Sequence, residues 1–556
     1  MEQALSPRQA YIRRLNTLIN ERAEVLAHCR ELAANIDPLN SQFDVWNRNK
    51  PPSNAAIYSS VPANALETIT NGIFTNASSP SNPWYRLTTQ DPALAEQAEV
   101  REFIYLLEDT SRVVLKKSNV YNCLQQVDKD LVQFGFSALH LDADDETVIR
   151  GYVYPVGTYC LAANFRGQVS TIYRELTLTV EQMVEQFGIE AVSKSVRDQW
   201  NRRNYDAPIQ IVHVIEPNRA RILGARGLGG MAYKSCWLEK NGNDKQGLLR
   251  ESGYAEMPTL CPRWSVRAGN VYGFGLGTIA LPDIKSLHQA SRDKLKLVGK
   301  ITNPPLMGPP GLDRASQMPG AYNTLTSTTA GAKIEPLYMP HPNSLAEARA
   351  IERDLEIAVN RAFKADQWLS LQSKEGKAMT AREVAELAQE KLAQLGPAME
   401  RSQSELYGPL INLVLRHIFE AELVPEIPEV LQGQEYKIEF ISGVAQAQKV
   451  GGAFGLDRVV EFATKIAALD PSAAQKINGA EMIDKYSEAL GNDPSVIRND
   501  EEMGEIVAAQ AEAAEAERAG AAVVAGAGAV KDLAGANLED PSALTAIASR
   551  FAGGQA

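Results

Sequence analysis

The sequence predicts an α+β fold: helices and antiparallel strands up to about Leu281, two helices flanking a short β insertion, then a long proline-interrupted helical run. Three observations carry this. Capping-box sequences open several apolar-periodic segments, the pattern switches to period two after Gly135, and a Pro/Gly-rich excursion separates two helical patterns past mid-chain.

Ser6-Pro7-Arg8-Gln9 predicts a capped helix start with proline at the first helical position. Ile12, Leu15, Ile19, Leu26, Cys29 and Leu32 supply its apolar stripe, which should end near Pro38. A short helix is expected around 63–74, an extended segment from Pro83-Trp84, and two helices over about 96–134. Gly135 ends them. The run SALHLDADDETVIRGYVYPVGTYCLAANFRGQVSTIYRELTLT then predicts one antiparallel sheet with turns at Asp144-Asp145 and Arg166-Gly167. Thr179-Val180-Glu181-Gln182 opens a further helix, and IQIVHVIEP and SCWLEK predict more strands.

A helix is expected from Pro282, then the excursion NPPLMGPPGLDRASQMPG, a strand-like KIEPLYM, and a helix begun by the capping box Ser344-Leu345-Ala346-Glu347. Leu345, Ala348, Ile351, Leu355, Ala358 and Ala362 line one side of that helix, which stops at the loop WLSLQSKEGKAMTARE. Thr380, answered by Glu383, predicts the next cap. The helical run that follows reaches about Glu422, with kinks expected at Gly396-Pro397 and Gly408-Pro409 because proline removes a backbone bond and crowds the preceding turn. YKIEFI reads as a strand, and 456–469 and 481–490 read as helices. From about Ala508 the chain is Ala/Gly/Glu-rich, and GAAVVAGAGAV is too poor in large side chains to build a core.

At 556 residues and 44% hydrophobic, the chain can bury several cores, while its formal net charge of -12 argues against gripping nucleic acid over most of its surface. The five cysteines form no CxxC, so neither a disulfide framework nor a zinc knuckle is expected. The opening residues lack the apolar core of a signal peptide, and no apolar run reaches spanning length, so no membrane association is expected.

No GxxxxGK[ST], HExxH or GxSxG occurs, so no catalytic residue, metal or cofactor is assigned and the chain is expected not to be an enzyme. GARGLGGMAYK lacks a phosphate-reaching lysine and reads as a flexible turn. DADDE, residues 142–146, lacks the glycine and distant Glu of a calcium loop and reads as a solvated hairpin turn. His28 and its neighbour Cys29 point in different directions on a helix, which argues against a shared metal. On the helix from Pro282, Lys285, His288, Arg292, Lys296 and Lys300 recur every three or four residues opposite Ile284, Leu287, Ser291, Leu295 and Val298. Such a basic stripe is either a solvated face or a functional one.

The order helix, β insertion, capped helix, loop and kinked helix resembles the portal (head-to-tail connector) proteins of short-tailed bacteriophages. The likeness is carried by YGFGLGTIALPDIKSL, by KEGKAMTAREVAELAQEKLAQLGPAMERSQSELYGPLINLVLRHIF and by VPEIPE. It extends more weakly to NALETITNGIFTNASSPSNPWYRL, VDKDLVQFGFSALHL and PVGTYCLAANFRGQVSTIYRELTLT. It implies a ring-forming, portal-type fold. Residues 1–281 become the wing, 282–300 the first stem helix, 301–343 a β-containing clip and 344–365 the second stem helix. Residues 366–379 become a tunnel loop, 380–435 the long kinked helix and its return to the wing, 436–507 a mainly helical crown, and 508–556 a partly helical or flexible tail.

By the same resemblance, about twelve copies would surround a channel for double-stranded DNA at one capsid vertex of the virion, after assembly in the host cytoplasm. The terminase large subunit, a tail adaptor protein and the major capsid and scaffolding proteins would be its partners. Gln372, Ser373, Lys374, Glu375, Gly376 and Lys377 would enter the channel. Lys285, Arg292, Lys296 and Lys300 would face the bore or pair with Glu352 and Glu356 of the second stem helix, within or between subunits. Another virion component, an adaptor or internal core protein, is the alternative.

Geometry agrees with a channel. About twelve helices ~10 Å apart enclose a bore of about 28 Å, which admits a ~20 Å duplex. About twelve copies at -12 each give a ring charge of about -144, which repels phosphate and favours sliding over sticking.

Overall fold

The computed structural model describes residues 6–40, 43, 56–81, 83–91, 94, 97–242, 248–308, 333–341, 343–366, 395–431 and 436–440, with isolated helical positions beyond 464. One compact unit, residues 1–448, contains every element below. In the second, 449–556, only scattered helical positions such as Lys465 and Met503 are described, so the expected crown helices and the Ala-rich tail otherwise lie outside the described residues.

Helix α1 (Pro7–Asn35) starts as its sequence requires. Ser6 Oγ accepts the Gln9 amide at 3.2 Å and Gln9 Oε1 accepts the Ser6 amide at 3.1 Å. Its stripe covers a sheet formed much later in the chain, with Leu15 and Leu18 packed on Tyr173, Val212, Val214, Cys236 and Leu238. Two buried arginines on this helix donate to carbonyls at or near strand ends: Arg8 to Glu239 O at 3.2 Å and Lys240 O at 2.7 Å, and Arg22 to Gly157 O at 3.2 Å and to Tyr159 O. Helix α2 (Val61–Ala77) leads through Pro83-Trp84 into strand β1 (Tyr85–Thr89), and α3 (Ala98–Lys117) and α4 (Val120–Gln133) follow as expected.

The period-two stretch was expected to make one sheet and makes parts of two. Strands β2 (Leu139–Asp144) and β3 (Val148–Val153) form a hairpin. Pro155, which has no amide to give a ladder, and Gly157 at φ +110 then turn the chain away. Strands β4 (Tyr159–Ala163) and β5 (Val169–Thr179) start a second sheet, completed by β6 (Pro208–Pro217), β7 (Tyr233–Glu239) and β8 (Arg250–Tyr254) in the order β4-β5-β6-β7-β8, all antiparallel. Strand β9 (Thr259–Leu260) joins the first sheet beside β2.

Between β5 and β6, helix α5 (Val180–Phe187) opens with the Thr179–Gln182 capping box, and α6 (Lys194–Asn201) follows. Residues 211–215 of β6 are all buried because both faces are covered. Val212 and Val214 face α1, Ile211 meets Val180 and Met183, and His213 meets His140 of β2 with ring centroids 5.9 Å apart.

The second half holds α7 (Leu276–Thr302), a two-residue ladder of β10 (Leu306–Met307) with β11 (Glu335–Pro336), and α8 (Ser344–Ala362). Then come α9 (Gly396–Ser402), a π turn over Gln403–Tyr407, α10 (Gly408–Glu420) and β12 (Tyr436–Phe440).

Three expectations are corrected here. Helix α7 begins six residues before Pro282, which sits inside it and is tolerated because buried Leu276, Ala280 and Leu281 hold the flanking turns. Asn343, not Ser344, precedes the first turn of α8, and no side chain caps it. Strand β12, grouped with the crown at 436–507, pairs along its whole length with β1 and places Ile438 and Phe440 against the main core. At Gly408-Pro409, where a kink is expected, the helix widens: the Gly408 amide reaches Gln403 O across a π turn, and Pro409 falls in the first turn of α10, where its missing amide is harmless.

Burial lowers His140 to about 3 and lowers His213 as well, whereas burial raises Asp130 to about 7 against the opposing hydrogen bonds from Ser137 and Gln126. Below the ordinary histidine value the unfolded chain takes up protons that the folded histidines refuse. Each buried histidine therefore costs stability as pH falls below ~6.5, for His140 down to about 3. Folded Asp130 is protonated below about 7 but its unfolded counterpart only below ~3.8, so it adds stability as pH falls through that window. Asp130→Asn should make the melting temperature fall more steeply than in the parent chain between pH ~6.5 and ~4. Parallel melting curves would refute the assignment.

Candidate functional site

The candidate site is the projecting pair α7 and α8 with its base. The base is a contact of backbone on backbone. A Cβ on Gly273 would lie 2.2 Å from Gly135 O, one on Gly275 2.5 Å from Val132 O, and one on Gly277 2.3 Å from Gln133 O. Only glycine lets the first turn of α7 settle against the carbonyl end of α4, an arrangement that also sets the positive end of one helix dipole on the negative end of another. Gly135 itself stands at φ +92.

Helix α1 braces this base at three levels. His28 Nε2 and Thr278 Oγ1 are 3.0 Å apart, Lys285 pairs with Glu31, and His288 Nε2 donates to Asn35 O at 2.8 Å. His288 Nδ1 accepts the Tyr58 amide at 3.2 Å, which fixes the ring as the Nε2–H tautomer. His288 is therefore buried between α7, α1 and the segment before α2, and is no part of an exposed basic stripe. Its position four residues after Ile284 and beside Leu287 was the signal for that.

A second tie runs to the long helix. Arg263, only 4% exposed, grips Glu405 with Nη2 to Oε1 at 2.6 Å and Nε to Oε2 at 3.2 Å, while its own amide donates to Oε2 at 3.0 Å. Glu405 lies in the π turn, so the widened turn is what faces this carboxylate towards Arg263.

Past Ser291 on α7 and before Val359 on α8 neither helix has a buried residue. The pair is held there by mutual contacts, chief among them Glu352, which accepts from Ser291 Oγ at 2.7 Å and Lys294 Nζ at 2.6 Å. Burial would raise the Glu352 carboxyl, but Lys294 and Ser291 outweigh it and hold it below its ordinary value. Lys294 went unmarked in the sequence although it lies three residues after Ser291 and ten after Ile284, on the apolar side.

The four cations singled out have local company within the protomer. Lys285 takes Glu31, Lys296 takes Asp293 at 3.2 Å, Arg292 lies 5.9 Å from the Tyr58 ring and Lys300 5.6 Å from the Tyr338 ring. No bond joins any of them to Glu352 or half-buried Glu356 among the described residues of one chain. Of the proposed tunnel loop only Asp366 is described; Gln372, Ser373, Lys374, Glu375, Gly376 and Lys377, with the Thr380 cap, lie outside the described residues. Phe363, Ala365 and Leu395, the described residues that flank this stretch, are all buried in the main core.

The projection leaves apolar side chains bare, including Leu295 at 58%, Ile351 at 57% and Met339 at 65% exposure. An isolated soluble protein rarely keeps so much apolar surface on two slender helices. Fold and site thus define a structural subunit with a projecting helix pair whose flank is apolar and bare within one chain. The chain matches the family described as "Bacteriophage head to tail connecting protein" over residues 8–497. It is 34% identical to the portal protein of Salmonella phage epsilon15 over 550 residues, covering 98% of this chain and 99% of that one. It is 30% identical to the probable portal protein of Bordetella phage BPP-1, again covering 98% and 99%. The chain belongs to the bacteriophage head-to-tail connecting proteins. A chain from the neck of an empty GTA particle aligns at TM-score 0.37 and 11% identity over 78% of this chain and 91% of that one.

Gly275→Ala should cost about 2–3 kcal/mol, because the added methyl meets a carbonyl oxygen rather than a movable side chain. Denaturant unfolding measures this; an unchanged midpoint would show that the α4 end gives way easily.

Proposed function

We propose that copies of this chain form the portal ring at one vertex of a phage capsid, with double-stranded DNA passing through its centre. The carrying observation is the helix pair rooted in the body at one end and bare on its apolar flank along the rest, in a chain related over nearly its full length to portal proteins. Side-by-side packing of such pairs covers the apolar flank and encloses a lumen.

Electrostatics support passage rather than capture. Lys285, Lys294 and Lys296 each have a carboxylate partner within their own protomer, so this part of the stem does not present a ladder of lone cations to phosphate. Lys374 and Lys377 are the loop cations that would make brief, salt-screened contacts with the duplex. The tip around β10 and β11 is the platform for the terminase large subunit and then the tail adaptor, and the body faces the major capsid and scaffolding proteins in the host cytoplasm during assembly.

Electron microscopy of the purified chain should show annular particles of about twelve subunits with an open centre; monomers at assembly concentrations, or solid particles, would overturn the reading. Lys374→Ala with Lys377→Ala should leave ring formation intact and alter DNA packaging or retention. Unchanged behaviour in both assays would remove the loop from the channel.

A further inference from the structure

We infer that the arginine-bearing end of the five-stranded sheet docks on the acidic β2–β3 hairpin of the neighbouring copy of this chain. The inference rests on the ring reading above but concerns the body rather than the stem.

The glycine-rich connection between β6 and β7, which its sequence marks as a flexible turn, is instead a closed, hydrogen-bonded loop. Asn218 is its hub, donating to Leu228 O at 3.2 Å and Met231 O at 3.0 Å and accepting the Ala220 amide at 3.2 Å. The Ile222 amide reaches Gly229 O at 2.8 Å, and Gly224 and Gly227 stand at φ +82 and +72, where a side chain would be strained. This fixed loop holds Ile222 and Leu223 out in solvent at 66% and 84% exposure.

The β5–β6 register sets Ile172 opposite Ile215, so the β4–β5 turn lies at the same end of the sheet. That turn presents Phe165, 93% exposed, with the Arg166 guanidinium 5.3 Å from its ring, and it is anchored by Arg263, which donates to Gly167 O at 2.9 Å. Arg166, Arg219, Arg221 and Arg226 stand on these two segments, and neither 164–168 nor 218–231 contains an Asp, Glu or Lys.

Arginine with exposed aliphatic and aromatic side chains, and no lysine, is the make-up of a protein contact; a phosphate surface would leave the aliphatic tips without a role. With only positive charge, the patch cannot pair with itself about a two-fold axis. It needs a different, acidic patch, as head-to-tail ring contacts do. The chain carries one on the β2–β3 hairpin, where Asp142 is exposed. Asp145 and Glu146 continue the acidic turn, and Tyr152, 46% exposed, offers an aromatic partner.

The test compares four full-length chains by native mass spectrometry and electron microscopy: the parent, Arg219→Glu with Arg226→Glu, Asp145→Lys with Glu146→Lys, and all four changes together. The sites are exposed, so each monomer should melt as the parent does. Each pair alone should raise the concentration needed for ring assembly about tenfold or more, and the four together should restore it. Normal assembly by the Arg219→Glu, Arg226→Glu chain would overturn the contact, as would failure of the combined chain to recover. If instead rings form normally but binding to DNA or to capsid protein is lost, the patch serves that partner and the inference fails. A parent chain that forms no rings removes the portal reading itself, which the variants alone cannot do.

Discussion

The direction of the whole projection is decided where two main chains touch. Gly273, Gly275 and Gly277 let the start of α7 lie directly on the carbonyl end of α4, with no side chain between them. Contact at that range cannot be tuned by choosing a larger or smaller residue, because any Cβ would fall inside the partner's oxygen. Everything outward of this seat inherits its angle from it. The seat itself is fixed to the body through Gly135, whose carbonyl accepts the Trp264 amide at 2.9 Å.

Polar ties then hold what the glycines permit. The α1 brace and the Arg263–Glu405 clamp reach the helix pair and the long helix from opposite parts of the chain, since Arg263 and Glu405 are separated by 142 residues. His288 and Arg263 are buried, so loss of a partner of either leaves a donor or a charge uncompensated, whereas the Lys285–Glu31 pair is exposed and adds less. This concentration of satisfied polar groups at the root contrasts with the outer half of the helices, where Glu352 with Ser291 and Lys294 is the main polar tie between them among the described residues.

Local signals in the sequence were faithful where the physics was local. The Ser6–Gln9 and Thr179–Gln182 boxes formed because each needs only four consecutive residues, and Pro83-Trp84 led into a strand for the same reason. Long-range contacts decided the rest. Pro282 looked like a helix start because its missing amide favours one, yet the glycine seat and buried Leu276 began the helix earlier. His288 counted as a cation by spacing and became a buried link between two segments it could not know about. The basic stripe therefore shrank to residues with partners on α1, on their own turn or on aromatic rings, while Lys294 emerged as the one that joins the helices. Strand β12 had no local mark of its partner, since β1 lies about 350 residues earlier.

The π turn at Gln403–Tyr407 also acts as a phase setter. An α-helix advances about 100° per residue, so one extra residue in a turn rotates everything on one side of it relative to the other by that angle. Upstream, α9 is clocked differently from α10, whose Leu410, Ile411 and Val414 stay locked in the core. Loss of that one surplus residue would let the turn close to an ordinary α turn while α10 keeps its packing, so the helix absorbs the extra residue on the spot instead of passing the offset along its length.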